Sequence, residues 1–156
     1  MSFVDTVRRG LRLIRTFDGR DTRAQFWPYC GAVLGVWFVV GNVLFVAAFI
    51  ATSLSATPRS QTAWPFIAVT GATFALLVAL LASAVTRRLR DRDHSGAWAL
   101  IPVALVCSGL AIFSVLFATF DDDMGPGLFL AGFANNLLYF ATMITLTVQL
   151  AMPSAD

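Results

Sequence analysis

The chain has 156 residues, of which 58% are hydrophobic and only 13% charged, and its mean hydropathy is +0.75. Soluble domains usually carry about a quarter of their residues as charges. This composition excludes a soluble enzyme, a disordered or collagen-like chain and a disulfide-stapled secreted module, and leaves an integral membrane protein. All 11 basic residues are Arg and all 9 acidic residues are Asp, for a net charge of +2.

In chain order, the first predicted element is an amphipathic helix over residues 3–17. Phe3, Val4, Val7, Leu11, Ile14 and Phe17 fall on one face at 100° per residue, with Arg8, Arg9, Arg12, Arg15 and Asp5 opposite. This pattern suits a helix lying in the membrane interface, its Arg residues meeting anionic headgroups at about 1 kcal/mol each. A helix packed on the folded domain shows the same pattern. A nucleic-acid arm would need a recognisable binding motif, and none is present.

Four apolar runs follow, and charges interrupt them so rarely that they predict transmembrane helices at about 28–52, 64–86, 97–119 and 128–151. Each exceeds the ~20 residues needed to cross the hydrocarbon core, and none shows the period-2 alternation of a barrel strand. Pro28 and Pro65 stand where a helix can begin, Pro102 can bend the start of the third span, and Gly125 to Gly127 separates the last two. Trp27, Tyr29, Trp64 and Trp98 fall at span ends, where amphipathic rings suit the headgroup zone. The expected fold is all-α, one membrane domain over residues 1–156. It comprises a four-helix bundle preceded by a cytoplasmic segment, residues 1–26, that carries the amphipathic helix.

Six Arg residues precede the first span and four lie between the second and third, against Arg59 alone in the first loop. By the positive-inside rule both termini and the central loop are cytoplasmic. The first span is too long for a signal-peptide core and reads as an uncleaved helix.

Two charged motifs flank the spans. The first, residues 17–27, contains Phe17, Gly19, Arg20, Arg23, Phe26 and Trp27, and the second, residues 87–98, contains Arg87, Arg88, Leu89, Asp91, Ser95, Gly96 and Trp98. In these residues the chain resembles domain-of-unknown-function family 805, the YhaH-like bacterial inner-membrane proteins, over roughly residues 10–120. The sequence departs from that pattern at Arg90, where the family has His, at Ala97, where it has Trp, and in lacking its C-terminal Asn-x-Tyr/Phe-Gly motif. The resemblance implies a multi-pass protein of the bacterial inner membrane and carries no activity.

Physically, the two motifs predict a clasp on one side of the membrane. The second helix is expected to continue through Asp93, with Arg87 and Asp91 on one face and Ser95-Gly96 closing a turn. Arg20 and Arg23 are expected to pair with Asp91 or Asp93, and Asp18 or Asp21 with Arg87 or Arg88, because the planar Arg fork binds carboxylates in bidentate fashion. Headgroup or phosphate binding, and recognition of a solute or partner, are the competing uses of the same residues.

Within the spans, Gly31 and Gly35 form a small-xxx-small pair, and Asn42 is expected to hydrogen-bond a neighbouring helix; a dimer interface is the alternative for this face. Asn135, Asn136, Thr142, Thr145 and Gln149 read as interhelical packing. No charge lies inside any span, so an ion-coupled transporter lacks an obvious carrier. The Asp121–Asp123 run and His94 read as solvated loop residues. Cys30 and Cys107 are not expected to pair, and two cysteines with one histidine do not make a zinc site. No catalytic constellation, metal site or cofactor motif is visible. The sequence therefore predicts a non-enzymatic membrane protein that binds anionic lipid headgroups or another membrane protein, including a second copy of itself, and no nucleic acid. The alternative is an oligomeric small-solute transporter or channel subunit.

Overall fold

A computed structural model describes residues 2–54, 59–119 and 126–153, and the side chains of these except at 59–63, 117, 118 and 126. The predicted Asp121–Asp123 run, Gly125 and the Arg59 side chain lie outside the described residues. The order of elements is α1 (Phe3–Arg12), α2 (Arg23–Leu54), α3 (Arg59–Arg90), a 3-10 turn (Gly96–Ala99), α4 (Leu100–Ala118) and α5 (Pro126–Ala151), with no strand among the described residues. Helices α2 to α5 are each long and apolar enough to span a membrane.

Helix α1 starts in a capping box: the Ser2 hydroxyl accepts from the Asp5 N–H at 3.2 Å, and the Asp5 carboxylate accepts from the Ser2 N–H and hydroxyl. These bonds to Ser2 hold the Asp5 carboxyl below its ordinary value. The helix is shorter than the 3–17 expected from periodicity. It stops at Arg12, where the Leu13 N–H bonds back to Arg9 and Gly10, and the Leu13 and Thr16 carbonyls turn to the Arg87 guanidinium. Helix α1 docks on α2 through buried Thr6 and Gly10. At Gly10 a Cβ would fall 2.3 Å from the Tyr29 ring, so only glycine allows this approach.

Helices α2 and α3 both run through the prolines expected to start them. Pro28 and Pro65 sit inside their helices, each leaving only the carbonyl four residues earlier without its helical donor. Helix α3, at 32 residues, is about 48 Å long, well beyond the ~30 Å hydrocarbon core. It ends at Arg90, three residues sooner than expected. There Asp93 takes a left-handed conformation (φ 54°), the His94 N–H bonds the Leu89 carbonyl and the Asp93 N–H bonds that of Arg90. This is a Schellman stop with Asp where glycine is usual. Ser95 then caps the 3-10 turn, and Gly96 lies so close to α3 that a Cβ would meet Thr86 Cγ2 at 2.5 Å. Pro102 falls in the first turn of α4, where its missing N–H costs nothing.

Helices α2 and α3 pack as one pair, α4 and α5 as another, and α3 joins the pairs. The buried hydrophobic residues Phe26, Tyr29, Cys30, Val33, Ala84, Leu89 and Leu150 all lie toward one end, where the N-terminal segment, the end of α3 and the end of α5 meet. Apolar side chains further along the spans stay largely exposed, as expected where lipid replaces water and burial between helices brings no hydrophobic gain. Specific polar contacts therefore matter there. The Tyr29 hydroxyl donates to the Leu80 carbonyl at 2.7 Å and the Trp37 indole to that of Thr73 at 2.9 Å, tying α2 to α3. Tyr29 is thus a core residue and not the interfacial ring expected from its position.

The expected packing role of the first-span glycines is not met within the chain. A Cβ at Gly31, Gly35 or Gly41 would meet nothing within 4 Å. Asn42 donates to the Phe38 carbonyl of its own helix at 2.7 Å and does not reach a neighbour. Asn135 does cross between helices: its Oδ1 accepts from the Ser108 hydroxyl at 2.6 Å and its Nδ2 donates to the Leu105 carbonyl at 3.1 Å. Asn136, Thr142 and Thr145 bond carbonyls of α5 itself. Cys30 is buried, Cys107 exposed, and both are free thiols.

Candidate functional site: an arginine clasp at one end of the bundle

The second motif occupies the end of α3 and the turn beyond it, and its four arginines fan out in two directions. Toward the N-terminal segment, the Arg87 Nε donates to Asp21 Oδ2 at 2.8 Å while NH1 donates to the carbonyls of Leu13 (2.9 Å) and Thr16. Arg87 and Asp21 are 2% and 3% exposed, so this is a buried ion pair. Arg9 lies 3.0 Å from the second Asp21 oxygen, without the alignment of a hydrogen bond. Arg90 donates to the Phe17 carbonyl at 2.8 Å and to Asp18 at 3.2 Å, and Arg20 to Asp93 at 2.7 Å.

Toward the C-terminus, Arg88 is fully buried. Its Nε donates to the Leu150 carbonyl at 3.1 Å, NH1 to the Asp21 carbonyl at 3.4 Å and to the Asp91 carboxylate, and NH2 to the Met152 carbonyl. The Leu150 and Met152 carbonyls lie at and just past the C-terminus of α5, where orphan carbonyls and the helix dipole favour a cation. Arg92 donates to the Pro153 carbonyl and to Met152 Sδ at 3.3 Å. The motif thus holds the N-terminal segment with one set of donors and the end of α5 with another. Lysine, with three donors on a point charge, could not replace a five-donor fork in this role.

The expected pairings are met in part. Arg20–Asp93 and Arg87–Asp21 form as expected, whereas Asp18 pairs with Arg90. Asp91 pairs with Arg88 three residues earlier and not with Arg20 or Arg23, because α3 ends before Asp91 and the carboxylate folds back along the helix. Arg23 forms no ion pair among the described residues. Phe17 enters through its carbonyl only, its ring being exposed. Gly19 has φ +97°, a left-handed turn that brings the chain over Arg87. Ser95 and Gly96 act by capping and close approach, as described above, and Trp27 and Trp98 are partly exposed at the rim.

Sequence reasoning missed the carbonyl acceptors at Leu13, Thr16, Leu150 and Met152, which carry no side-chain signal. His94 is half-buried rather than solvated, its Nδ1 2.7 Å from the Arg92 carbonyl, and it borders an open hollow of about 390 Å³ with Gly19, Arg20, Arg90 and Asp93. Among the described residues no group of three His, Cys, Asp or Glu side chains could hold a metal ion.

A family model described as a protein of unknown function (DUF805) matches residues 14–154. The match extends beyond the region the two motifs outline and takes in α5, whose end Arg88 holds. Neither a curated protein nor a solved structure matches the chain.

Proposed function

Since the chain belongs to the DUF805 family, whose description assigns no activity, we propose from its geometry that it is an inner-membrane protein that binds anionic lipid headgroups at its arginine-rich face. The observation that carries this reading is the way α1 is presented. Thr6 and Gly10 attach it to α2, while Phe3, Val4 and Leu11 stay exposed along one side and Arg8 and Arg12 along another. A helix so mounted lies in the interface, its apolar side in the acyl boundary and its guanidinium groups at phosphate level. Among the described residues Arg8, Arg12, Arg15 and Arg23 have no acidic partner, so their charges remain for headgroups. Arg9 is committed to Asp21 and leaves this lipid-facing set.

The arginine-rich end is cytoplasmic in this reading. Arg87 to Arg92 and the N-terminal arginines share one end of the bundle, and Arg59 stands at the opposite end of α3. A binding role is favoured over transport because no charged residue lies within the predicted spans to carry an ion. Asn42 and Asn136 each donate to a carbonyl of their own helix, and Asn135 ties α5 to α4.

Lipid retention tests the reading. Wild-type protein extracted in mild detergent is expected to retain phosphatidylglycerol through purification, and Arg8→Gln/Arg12→Gln/Arg15→Gln to lose most of it while keeping its fold. Equal retention by both would overturn the proposal.

A further inference from the structure

A partly open cavity of about 770 Å³ lies between the two helix pairs, bordered by all four spans. Its size is within the range of sites for small organic ligands. No charged residue borders it. Nearly half of its lining is aromatic, with Trp37 and Phe45 from α2, Phe66 and Phe74 from α3, Phe113 from α4 and Tyr139 from α5. Polar side chains enter from α3, through Thr70, and from α5, through Asn135, Asn136 and Tyr139. Asn135 is satisfied by Ser108 and Leu105, but Asn136 uses only its Nδ2, toward Gly132, and the Tyr139 hydroxyl has no partner among the described residues. In a lipid medium an unpaired hydroxyl or amide N–H is costly, so an acceptor that bonds them is favoured there.

We propose that this cavity is a binding site for an uncharged, membrane-soluble molecule with a flat carbonyl-bearing ring, of the quinone type. Absence of charge selects a neutral occupant, and the aromatic walls offer faces for offset or edge-on stacking. The Tyr139 hydroxyl and the second N–H of Asn136 Nδ2 can donate to ring carbonyls. The site is separate from the arginine face, and either proposal stands without the other.

Trp37 serves as the reporter. The full chain carrying Trp27→Phe, Trp64→Phe and Trp98→Phe is reconstituted into phosphatidylcholine vesicles and titrated with decylubiquinone. Saturable quenching of Trp37 is expected. Thr70→Phe fills the cavity without removing a side-chain hydrogen bond, and is expected to weaken binding about tenfold or more. Asn136→Leu, exposed and bonded only within α5, is expected to weaken it about threefold. Slow labelling of buried Cys30 in each variant verifies the fold. Quenching that rises without saturation, or is unchanged in both variants, would overturn the proposal. So would displacement by diacylglycerol as effective as by unlabelled quinone, which would assign the site to an ester-bearing chain. Complete shielding of Trp37 by a second copy of the chain would overturn it as well.

Discussion

Replacing Arg88 with Gln tests the end of the clasp that holds α5. The guanidinium's acceptors include the Leu150, Met152 and Asp21 carbonyls and the Asp91 carboxylate, and it is shielded from solvent throughout. Gln is too short to reach the α5 carbonyls and carries no charge. Removing one partner of a buried ion pair costs about 3–5 kcal/mol. Asp91 keeps slight exposure (7%), so the lower end applies and the expected loss is about 3 kcal/mol, roughly a hundredfold in the unfolding equilibrium. In a Cys107→Ser background the single thiol is Cys30, buried in the core beside the clasp. Its labelling by a fluorogenic maleimide, followed through a denaturant series in mild detergent, reports global opening. Arg88→Lys is expected to recover less than half of the loss, since an ammonium cannot span acceptors on two segments. Arg12→Gln, exposed on α1, should stay within about 0.5 kcal/mol of wild type. An Arg88→Gln midpoint indistinguishable from that control would refute the reasoning.

Gly96→Ala is expected to cost about 1–3 kcal/mol by driving a methyl into Thr86 Cγ2, and Thr86→Ser, which removes that carbon and keeps the hydroxyl, should restore most of it in the same assay. Asp93→Gly should be near neutral or slightly stabilising: relief of the left-handed backbone returns about 1–2 kcal/mol, while the exposed pair with Arg20 contributes about 0–1 kcal/mol. Acid should fray α1 before the bundle opens. The Asp5 carboxyl is held below its ordinary value, so its capping contribution is complete above that value and is lost as pH falls through the lowered one; amide exchange across residues 3–12 reads this, and Asp5→Asn should abolish the pH dependence.

The spans were legible because membranes exclude charge: the runs between Arg23 and Arg59, and between His94 and Asp121, need no structure to delimit them. That the two motifs meet was legible from their sharing one side of the bilayer. Who bonds whom was not. The pairing of Asp91 depends on α3 ending at Arg90, and that end is set by a left-handed Asp where sequence rules look for glycine. Half of the clasp runs to carbonyls, which every residue possesses and no pattern marks. Gly31 and Gly35 meet no other helix of this chain. Small-residue spacing permits close approach on that face of α2 but does not say whether a helix comes there. Pro28 and Pro65 misled for a similar reason, since a proline within the early turns of a long helix forfeits only one bond.

The central claim is that the buried Arg–Asp contacts fix how the N-terminal segment meets α3, while the exposed pairs around them add little. Two double-mutant cycles test it most directly, one on Asp21→Asn with Arg87→Gln and one on Arg20→Gln with Asp93→Asn, read by Cys30 labelling in the Cys107→Ser background. The account predicts a coupling energy of about 1.5–3 kcal/mol for the buried pair and under about 1 kcal/mol for the exposed one. Equal couplings, or none between Asp21 and Arg87, would contradict it.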